Sequence, residues 1–161
     1  MIIIIISFLA NKAYLVENRK RLANISNKNL PNLPFLFICG STEKKNSMPI
    51  IINYFSPDCD HCIYMVSKIK ENKEFFSKSH IYMITSSNIH DVNTFQKENG
   101  IDSLQFITVG IDTSFSFYKI FGSSQIPSFY IYNSKGILDT IFKGETKIEN
   151  IIHIINPERK I

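Results

Sequence analysis

The feature that most constrains the fold is a short β-favouring run that passes directly into a helix-like segment. The run PIIINYF at 49–55 is the pattern of a strand buried on both faces of a sheet. Beyond it, Cys62, Val66 and Ile69 recur at helical spacing, which predicts a helix extending to about residue 76. A doubly buried strand that leads into a helix is typical of an α/β sheet with helices on its faces.

The rest of the chain continues to alternate between strand-like and helix-like segments. FLFIC at 35–39, with the polar turn GSTEKKN, predicts an N-terminal edge hairpin. Further strands are predicted at 80–86, 104–110, 128–133 and 137–144, the last two forming a hairpin through the turn NSKG. Helices are predicted after the caps Asn88 and Asp112 and after a capping box of Thr146 and Glu149. The order is a βαβ half, an inserted helix–strand–helix passage at 88–122, and a hairpin followed by a helix.

Composition indicates one folded domain without a nucleic-acid surface. The chain has 161 residues, 44% hydrophobic and 20% charged, which is ordinary for a globular domain and excludes general disorder. Of its 18 basic and 14 acidic residues, five basic and one acidic lie in residues 1–30, which leaves 13 of each in the remainder. The net charge of +4 is therefore a property of the N-terminus, and no nucleic-acid partner is expected.

The first 30 residues are predicted to be a hydrophobic anchor or signal-like segment followed by a polar tether. The chain is apolar from Ile2 to Ala10 and again over AYLV, and residues 2–16 would span about 22 Å as a helix, against about 30 Å of hydrocarbon. A cleaved signal peptide and a structural segment are the alternatives. Cleavage after Ala10 would place the large residue Phe8 at the −3 position, where a small residue is usual. The domain is expected at 31–161, in the periplasm or another extracytoplasmic space.

The stretch SPDCDHC places two cysteines at the junction between the buried strand and its helix. A helix N-terminus carries free N–H groups and partial positive charge, which stabilise a thiolate. Cys59 is therefore predicted to be the attacking nucleophile, and Cys62, three residues later, to displace what Cys59 captures. His61 and Asp60, between the cysteines, are predicted to tune the thiolate in opposite directions.

With these residues the chain resembles the thioredoxin superfamily, specifically the membrane-tethered or exported TlpA/ResA-type thiol-disulfide oxidoreductases, over about residues 31–155. IINYFSPDCDHC matches their active-site segment, and Ile126-Pro127 in SSQIPSFYIYNSKG stands where the family carries a cis-proline. The resemblance implies a thioredoxin-like fold, with a mixed central sheet flanked by helices and an inserted β/α segment. It also implies that Pro127 is cis and that Pro127 and Ile126 shape the substrate groove.

The implied activity is exchange of thiols and disulfides in exported proteins, with no cofactor. The implied partners are those substrate proteins, a membrane-bound or soluble thiol-disulfide electron donor, and the membrane through the N-terminus. Two residues depart from the family: Asp58 stands where tryptophan is usual, and Asn53 replaces a buried carboxylate. Since Asn53 cannot accept a proton from Cys62, another group or water must do so, and Glu98 and Asp102 are the candidate acids of the inserted segment.

Two other functional classes remain as alternatives. A copper-binding protein of the same fold would use Cys59 and Cys62 with His61 or Cys39 as soft ligands. A peroxiredoxin-like peroxidase is suggested by Ser56 before Cys59, although its usual upstream proline is absent. No structural zinc site is expected, because the chain has no second C-x-x-C and no H-x-x-x-H. Cys39 is expected to be a buried apolar residue, and structural roles are expected for His80, His90 and His153.

Overall fold

The computed structural model describes residues 28–40 and 48–157, which form a six-stranded mixed sheet with helices on both faces. The strands are β1 (Leu36–Cys39), β2 (Ile50–Tyr54), β3 (His80–Thr85), β4 (Ile107–Ile111), β5 (Ser128–Tyr132) and β6 (Leu138–Lys143). The helices are α1 (Asp60–Glu71), α2 (Lys73–Phe76), α3 (Ile89–Asn99), α4 (Phe117–Phe121) and α5 (Ile148–Ile155), with a 3₁₀ turn at Ile101–Ser103. The strand order is β1-β4-β3-β2-β5-β6, which confirms the predicted α/β class.

Strand β2 lies in the interior of the sheet and is buried on both faces, as its sequence predicted. It is parallel to β3 and antiparallel to β5, and all five of its residues are buried. β3 is in turn parallel to β4, so the carboxyl ends of β2, β3 and β4 meet at one edge of the sheet. The loop that leaves β2 at this edge carries the two cysteines.

The core consists of two apolar layers, one on each face of the sheet. Ile51, Met83 and Val109 point into the layer that also contains the buried faces of α1, α3 and α5. Alternate residues such as Ile52 and Tyr82 point into the other layer, which α4 and the segment before β1 cover with an aromatic cluster. That cluster consists of Phe35, Tyr54, Phe117, Phe121 and Tyr130. The period-two alternation therefore fixes which side of each strand faces the active-site helix.

The N-terminal edge hairpin is the part of the fold prediction that was wrong. β1 is an edge strand, but it runs antiparallel to β4, with Leu36 opposite Ile111 and Phe37 opposite Gly110. Both sides of β2 are already occupied, by β3 and β5, so β1 cannot pair with β2 and takes the free side of β4. The turn GSTEKKN begins at Gly40, and its remaining residues lie outside the described part of the chain.

Two helix limits also differ from the sequence prediction. The helix expected to reach residue 76 is broken at Asn72, whose side-chain amide donates to the carbonyl oxygen of Lys68 at 2.9 Å and separates α1 from α2. The prediction of a capping box formed by Thr146 and Glu149 is wrong, because α5 begins at Ile148 with Lys147 at the N-cap position. Thr146 therefore lies one residue too early, and its hydroxyl accepts from the side chain of Asn150 at 3.3 Å.

Of the other two predicted caps, Asn88 is confirmed, whereas Asp112 lies before Ser116, which is the N-cap residue of α4. The side chain of Asn88 accepts from the backbone N–H of Asp91 at 3.0 Å at the start of α3. The carboxylate of Asp112 accepts from the N–H groups of Ser116 and Phe117, at 2.9 and 2.7 Å, and so organises the entry into α4. Each satisfies donors that the first helical turn leaves unpaired.

The described chain begins on the last hairpin of the sheet. Leu30 N–H donates to the carbonyl oxygen of Gly136 and Leu138 N–H donates to that of Lys28, each at 2.7 Å. Asn29 forms an isolated bridge with Ile137. Residues 28–30, which the sequence placed in the polar tether, thus contact the domain, whereas the predicted anchor falls on residues outside the described part.

Candidate active site

Cys59 lies at the N-terminus of α1, at the edge where the parallel strands end. It is the N-cap residue, with extended backbone angles, and its carbonyl oxygen accepts from the N–H groups of Cys62 and Ile63 at 2.9 and 3.0 Å. Its own N–H donates to the carbonyl oxygen of Ser56 at 3.3 Å, which closes the loop after β2. The expected place of the pair at a strand-to-helix junction is confirmed, and Cys59 stands beside the unpaired N–H groups of the first turn.

The two thiols of the pair differ in burial. Cys59 is half-buried, whereas Cys62 is only 2% exposed and packs with Met65 and Val66 in the core. Burial raises the pKa of the Cys62 thiol, and its hydrogen bond with Cys59 raises it further, against a weaker lowering by a backbone hydrogen bond at Ser56. Cys59 is therefore the more accessible thiol of the pair, and the buried Cys62 is the thiol with the raised pKa.

His61 and Asp60 are both exposed in the first turn of α1. His61 Nδ1 lies 2.5 Å from Oε2 of Glu145, in the loop between β6 and α5. Glu145 was not predicted from the sequence, because it stands 84 residues from His61 in a polar turn that carries no motif. Only the folded sheet brings that turn to the start of α1.

The segment before β5 has the backbone geometry that the resemblance predicted. The Ile126–Pro127 peptide bond is cis, Pro127 is buried, and the side chain of Ile126 is 38% exposed. The carbonyl oxygen of Pro127 accepts from the N–H of Gly144 at 2.8 Å, which ties this segment to the loop that carries Glu145.

Asn53 is a structural amide in the interior of β2. It is 3% exposed, and its Nδ2 donates to the carbonyl oxygen of Ser128 at 3.1 Å, directly after Pro127. An amide in this position holds β5 in register with β2 but takes up no proton. The acid–base chemistry of the cysteine pair must therefore come from other groups.

The two candidate acids of the inserted segment occupy different places. Glu98 lines a cavity of about 380 Å³ beside Ser56, Pro57 and Asp58 of the active-site loop. Asp102 instead accepts from the thiol of Cys39, with Sγ and Oδ1 3.7 Å apart. Of the two acids, Glu98 is the one that borders the cysteine loop.

Cys39 is half-buried rather than buried, and its thiol has a polar partner in Asp102. Burial raises the pKa of Cys39, and the negative charge of Asp102 raises it further. Among the residues that the structure describes, no three side chains of the His, Cys, Asp or Glu type are grouped so that they could hold a metal ion. The copper-binding alternative thus finds no third ligand in this part of the chain.

Asp58 and His80 each have a hydroxyl group as a hydrogen-bond partner. The hydroxyl of Ser56 donates to the carboxylate of Asp58, and this hydrogen bond lowers the pKa of that exposed carboxyl. His80 is buried, with Nε2 2.9 Å from Oγ1 of Thr108, which fits its expected structural role.

Comparison with known proteins identifies the fold. No protein-family model matches the chain, and no curated protein sequence matches it. Among solved structures, a thioredoxin-like protein in its oxidised form superposes with a TM-score of 0.68 at 14% identity, over 83% of this chain and 97% of that one. A thiol-disulfide isomerase from Corynebacterium glutamicum gives 0.66 at 14% identity, over 80% and 96%. A secreted disulfide oxidoreductase of Mycobacterium tuberculosis gives 0.57 at 11% identity, over 70% and 83%. The chain therefore has the thioredoxin-like fold.

Within residues 28–40 and 48–157, none of the helices has the length and apolar character needed to cross a membrane. The segment for which the sequence predicts anchoring precedes these residues.

Proposed function

We propose that this protein is a thiol-disulfide oxidoreductase whose redox centre is the Cys59–Cys62 pair. The observation that carries the proposal is the pairing of a half-buried cysteine at a helix N-terminus with a fully buried cysteine one turn later. Such a pair separates the two roles of disulfide exchange, because the accessible sulfur can attack the substrate disulfide and the buried sulfur can then attack the mixed disulfide. The thioredoxin-like fold supports the same assignment.

The exchange proceeds in two displacements. The Cys59 thiolate attacks one sulfur of a substrate disulfide, forming a mixed disulfide and releasing the other substrate sulfur as a thiolate. Cys62 then loses its proton and attacks Cys59, which forms the Cys59–Cys62 disulfide and releases the second substrate sulfur. Two electrons pass from the pair to the substrate, and the proton lost by Cys62 leaves with one of the substrate sulfurs while the other leaves as a thiolate. The reverse sequence oxidises a substrate dithiol.

The substrates are exported proteins, and their extended chain lies beside the cis-proline segment. Ile126 supports this placement, because it is an exposed apolar side chain next to Pro127. The hydrogen bond from Gly144 to Pro127 supports it as well, since it fixes the segment against the loop of Glu145. The apolar start at 2–10 supports a membrane anchor or export signal, and a secreted oxidoreductase is among the solved structures of this fold. The electron donor is a second thiol-disulfide protein.

The test is the equilibrium of the reduced protein against a series of reduced and oxidised glutathione mixtures. A two-electron transition that disappears in Cys59→Ser and in Cys62→Ser, but not in Cys39→Ser, is expected. Cys62→Ser should also trap a mixed disulfide, because the displacing sulfur is gone, whereas Cys59→Ser should trap none. A pair that shows no transition in the series, together with no mixed disulfide in Cys62→Ser, would contradict the proposal.

The same samples test the two alternatives. Copper content measured after exposure to cuprous ion, with retention through gel filtration, would support the metal-binding protein. Turnover of hydrogen peroxide that needs Cys59 but not Cys62 would support the peroxidase.

A further inference from the structure

The contact between His61 and Glu145 fixes where the imidazole proton lies. His61 Nδ1 is 2.5 Å from the Glu145 carboxylate, and an ionised carboxylate only accepts hydrogen bonds. Nδ1 must therefore carry a hydrogen in this contact. In the neutral ring this leaves Nε2 as the nitrogen with the free lone pair, the one that can take up and return a proton.

Glu145 is held in place by the backbone on its N-terminal side. It directly follows Gly144, whose N–H donates to the carbonyl oxygen of Pro127 and whose φ of +86° suits glycine. Lys143 and Lys147 stand two residues before and after Glu145. Among the described residues, the ion pair found for Glu145 is nevertheless with His61. The loop thus presents its carboxylate to the first turn of α1.

The cysteine pair needs a proton carrier that its interior does not supply. Asn53 is an amide that is already hydrogen-bonded to Ser128, and Cys62 is a buried thiol with a raised pKa. His61 lies between the two cysteines in the sequence, and its side chain is 69% exposed. Its ring is therefore accessible from solvent, two residues along the chain from Cys59.

We propose that Glu145 is a positioning residue that holds His61 with its proton on Nδ1, so that Nε2 carries protons during exchange at Cys59. This rests on the proposed function. In the first displacement, the substrate thiolate that leaves takes the Nε2 proton of the imidazolium, and His61 becomes neutral. In the second, Cys62 loses its proton to water and attacks Cys59, and the second leaving thiolate takes up a proton from water. Two protons leave with the two substrate thiols, and the charges balance.

The tautomer is tested by NMR of reduced protein with ¹⁵N-labelled histidine rings, with His61 assigned through His61→Ala. At a pH where the ring is neutral, Nδ1 of His61 should give the signal of a protonated nitrogen and Nε2 that of an unprotonated one. In Glu145→Gln this preference should be lost, because an amide can also donate to Nδ1. A proton on Nε2 in the unaltered protein would overturn the inference.

The catalytic consequence is tested by the rate at which the reduced protein reduces oxidised glutathione. Glu145→Gln and His61→Ala should each slow the reaction about 10-fold, the lower limit of what positioned acid–base groups contribute. The double variant should be no slower than His61→Ala, because Glu145 acts through the ring. Glu145→Asp, which keeps a carboxylate, should recover part of the rate. Glu149→Gln removes the same charge from an exposed position in α5 and should change nothing.

The outcomes separate this inference from the proposed function. If the unaltered protein does not exchange disulfides, the proposed function fails and the inference with it. If it does, and Glu145→Gln reacts as fast as the unaltered protein, only the role of Glu145 is overturned. Additive losses in the double variant would also overturn it, because they would show that Glu145 acts independently of His61.

Discussion

At the residue scale, the three thiols should differ in reactivity because they differ in surroundings. Burial raises the pKa values of Cys62 and Cys39, and each has a neighbour that adds to the effect: Cys59 for Cys62 and Asp102 for Cys39. Only the thiolate is nucleophilic, so a raised pKa moves the onset of alkylation to higher pH. Iodoacetamide at pH 7 should label Cys59 at least about 10-fold faster than the other two thiols.

Peptide mass spectrometry of the reduced protein at several pH values measures the three rates. The rates at Cys62 and Cys39 should rise later with pH than the rate at Cys59. The contribution of Asp102 is checked with Asp102→Asn, which should speed labelling of Cys39 and leave Cys59 unchanged. Equal labelling of Cys59 and Cys62 at neutral pH would contradict the division of roles.

Replacing Asn53 by aspartate, the buried carboxylate that the resemblance leads one to expect, should lower the stability of the fold. Its Nδ2 donates to Ser128 O in the interior, and an ionised aspartate has no hydrogen to donate. Asn53→Asp should therefore cost about 2 kcal/mol of unfolding free energy at pH 7, the range for an unsatisfied buried polar group.

The loss of unfolding free energy in Asn53→Asp should depend on pH. The introduced carboxyl, when protonated, could still donate to Ser128 O, so the folded state would favour the neutral form and the pKa of this carboxyl would be raised by burial. Stability relative to the unaltered protein should then fall as the pH rises above about 4, where the unfolded aspartate ionises, until the raised folded pKa is passed. Urea unfolding at pH 4 and pH 7 measures this difference in stability, with Asn93→Asp on the exposed face of α3 as control. A loss independent of pH would argue against the hydrogen bond to Ser128.

At the element scale, the central part of the fold was predictable and its edge was not. The run 49–55 has no polar alternation, and this predicted a strand buried on both faces of the sheet, as β2 is. The neighbour of β1 depends on which strand side is left unpaired after the others have assembled. That is a property of the whole sheet, and nothing in FLFIC encodes it.

The candidate site divides in the same way. Cys59 and Cys62 were found because their chemistry depends on a local spacing at a helix start. Glu145 was missed because its partner stands 84 residues away, and a single glutamate in a polar turn has no pattern.

The close approach of β1 to β4 predicts an unequal effect of two glycine substitutions. Gly40 and Gly122 both have positive φ, +86° and +70°, so alanine is strained at each by about 1–2 kcal/mol. At Gly40 a Cβ would also lie 2.5 Å from the carbonyl oxygen of Ile107, whereas at Gly122 nothing lies within 4 Å. Gly40→Ala should therefore cost at least about 2 kcal/mol more than Gly122→Ala, since overpacking adds to the strain.

Urea unfolding curves of the two variants give the comparison. Their slopes should stay equal, because the same surface is exposed on unfolding. Equal losses of unfolding free energy in the two variants would mean that Gly40 does not pack closely against the backbone of β4.

At the scale of the whole molecule, the candidate site draws on three separate parts of the chain. Cys59 comes from the loop after β2, Pro127 from the segment before β5 and Glu145 from the loop after β6. The hydrogen bonds Gly144–Pro127 and His61–Glu145 join these parts. The geometry around Cys59 thus depends on the final hairpin being in register with β2, which the amide of Asn53 supports.

The start of the domain predicts how truncated proteins should behave. Lys28 and Leu30 each take part in one backbone hydrogen bond with the final hairpin. A chain that begins at Lys28 should unfold like the intact domain. A chain that begins at Pro31 should lose about 2 kcal/mol, at about 1 kcal/mol for each hydrogen bond. Both should still exchange disulfides with glutathione, because Cys59 and Cys62 keep their surroundings.

The full-length chain should partition with membranes, whereas the chain that begins at Lys28 should remain in the aqueous fraction. The difference follows from the apolar residues 2–10, which have no counterpart in a domain with 13 basic and 13 acidic residues from Pro31 onward. Fractionation after washing with carbonate, with the truncated chain as control, measures it. Ile5→Arg should release the full-length chain, because a charge in the hydrocarbon core costs about 3 kcal/mol. Full-length protein found entirely in the aqueous fraction, with Cys59 and Cys62 reduced, would instead place its exchange chemistry in a reducing compartment.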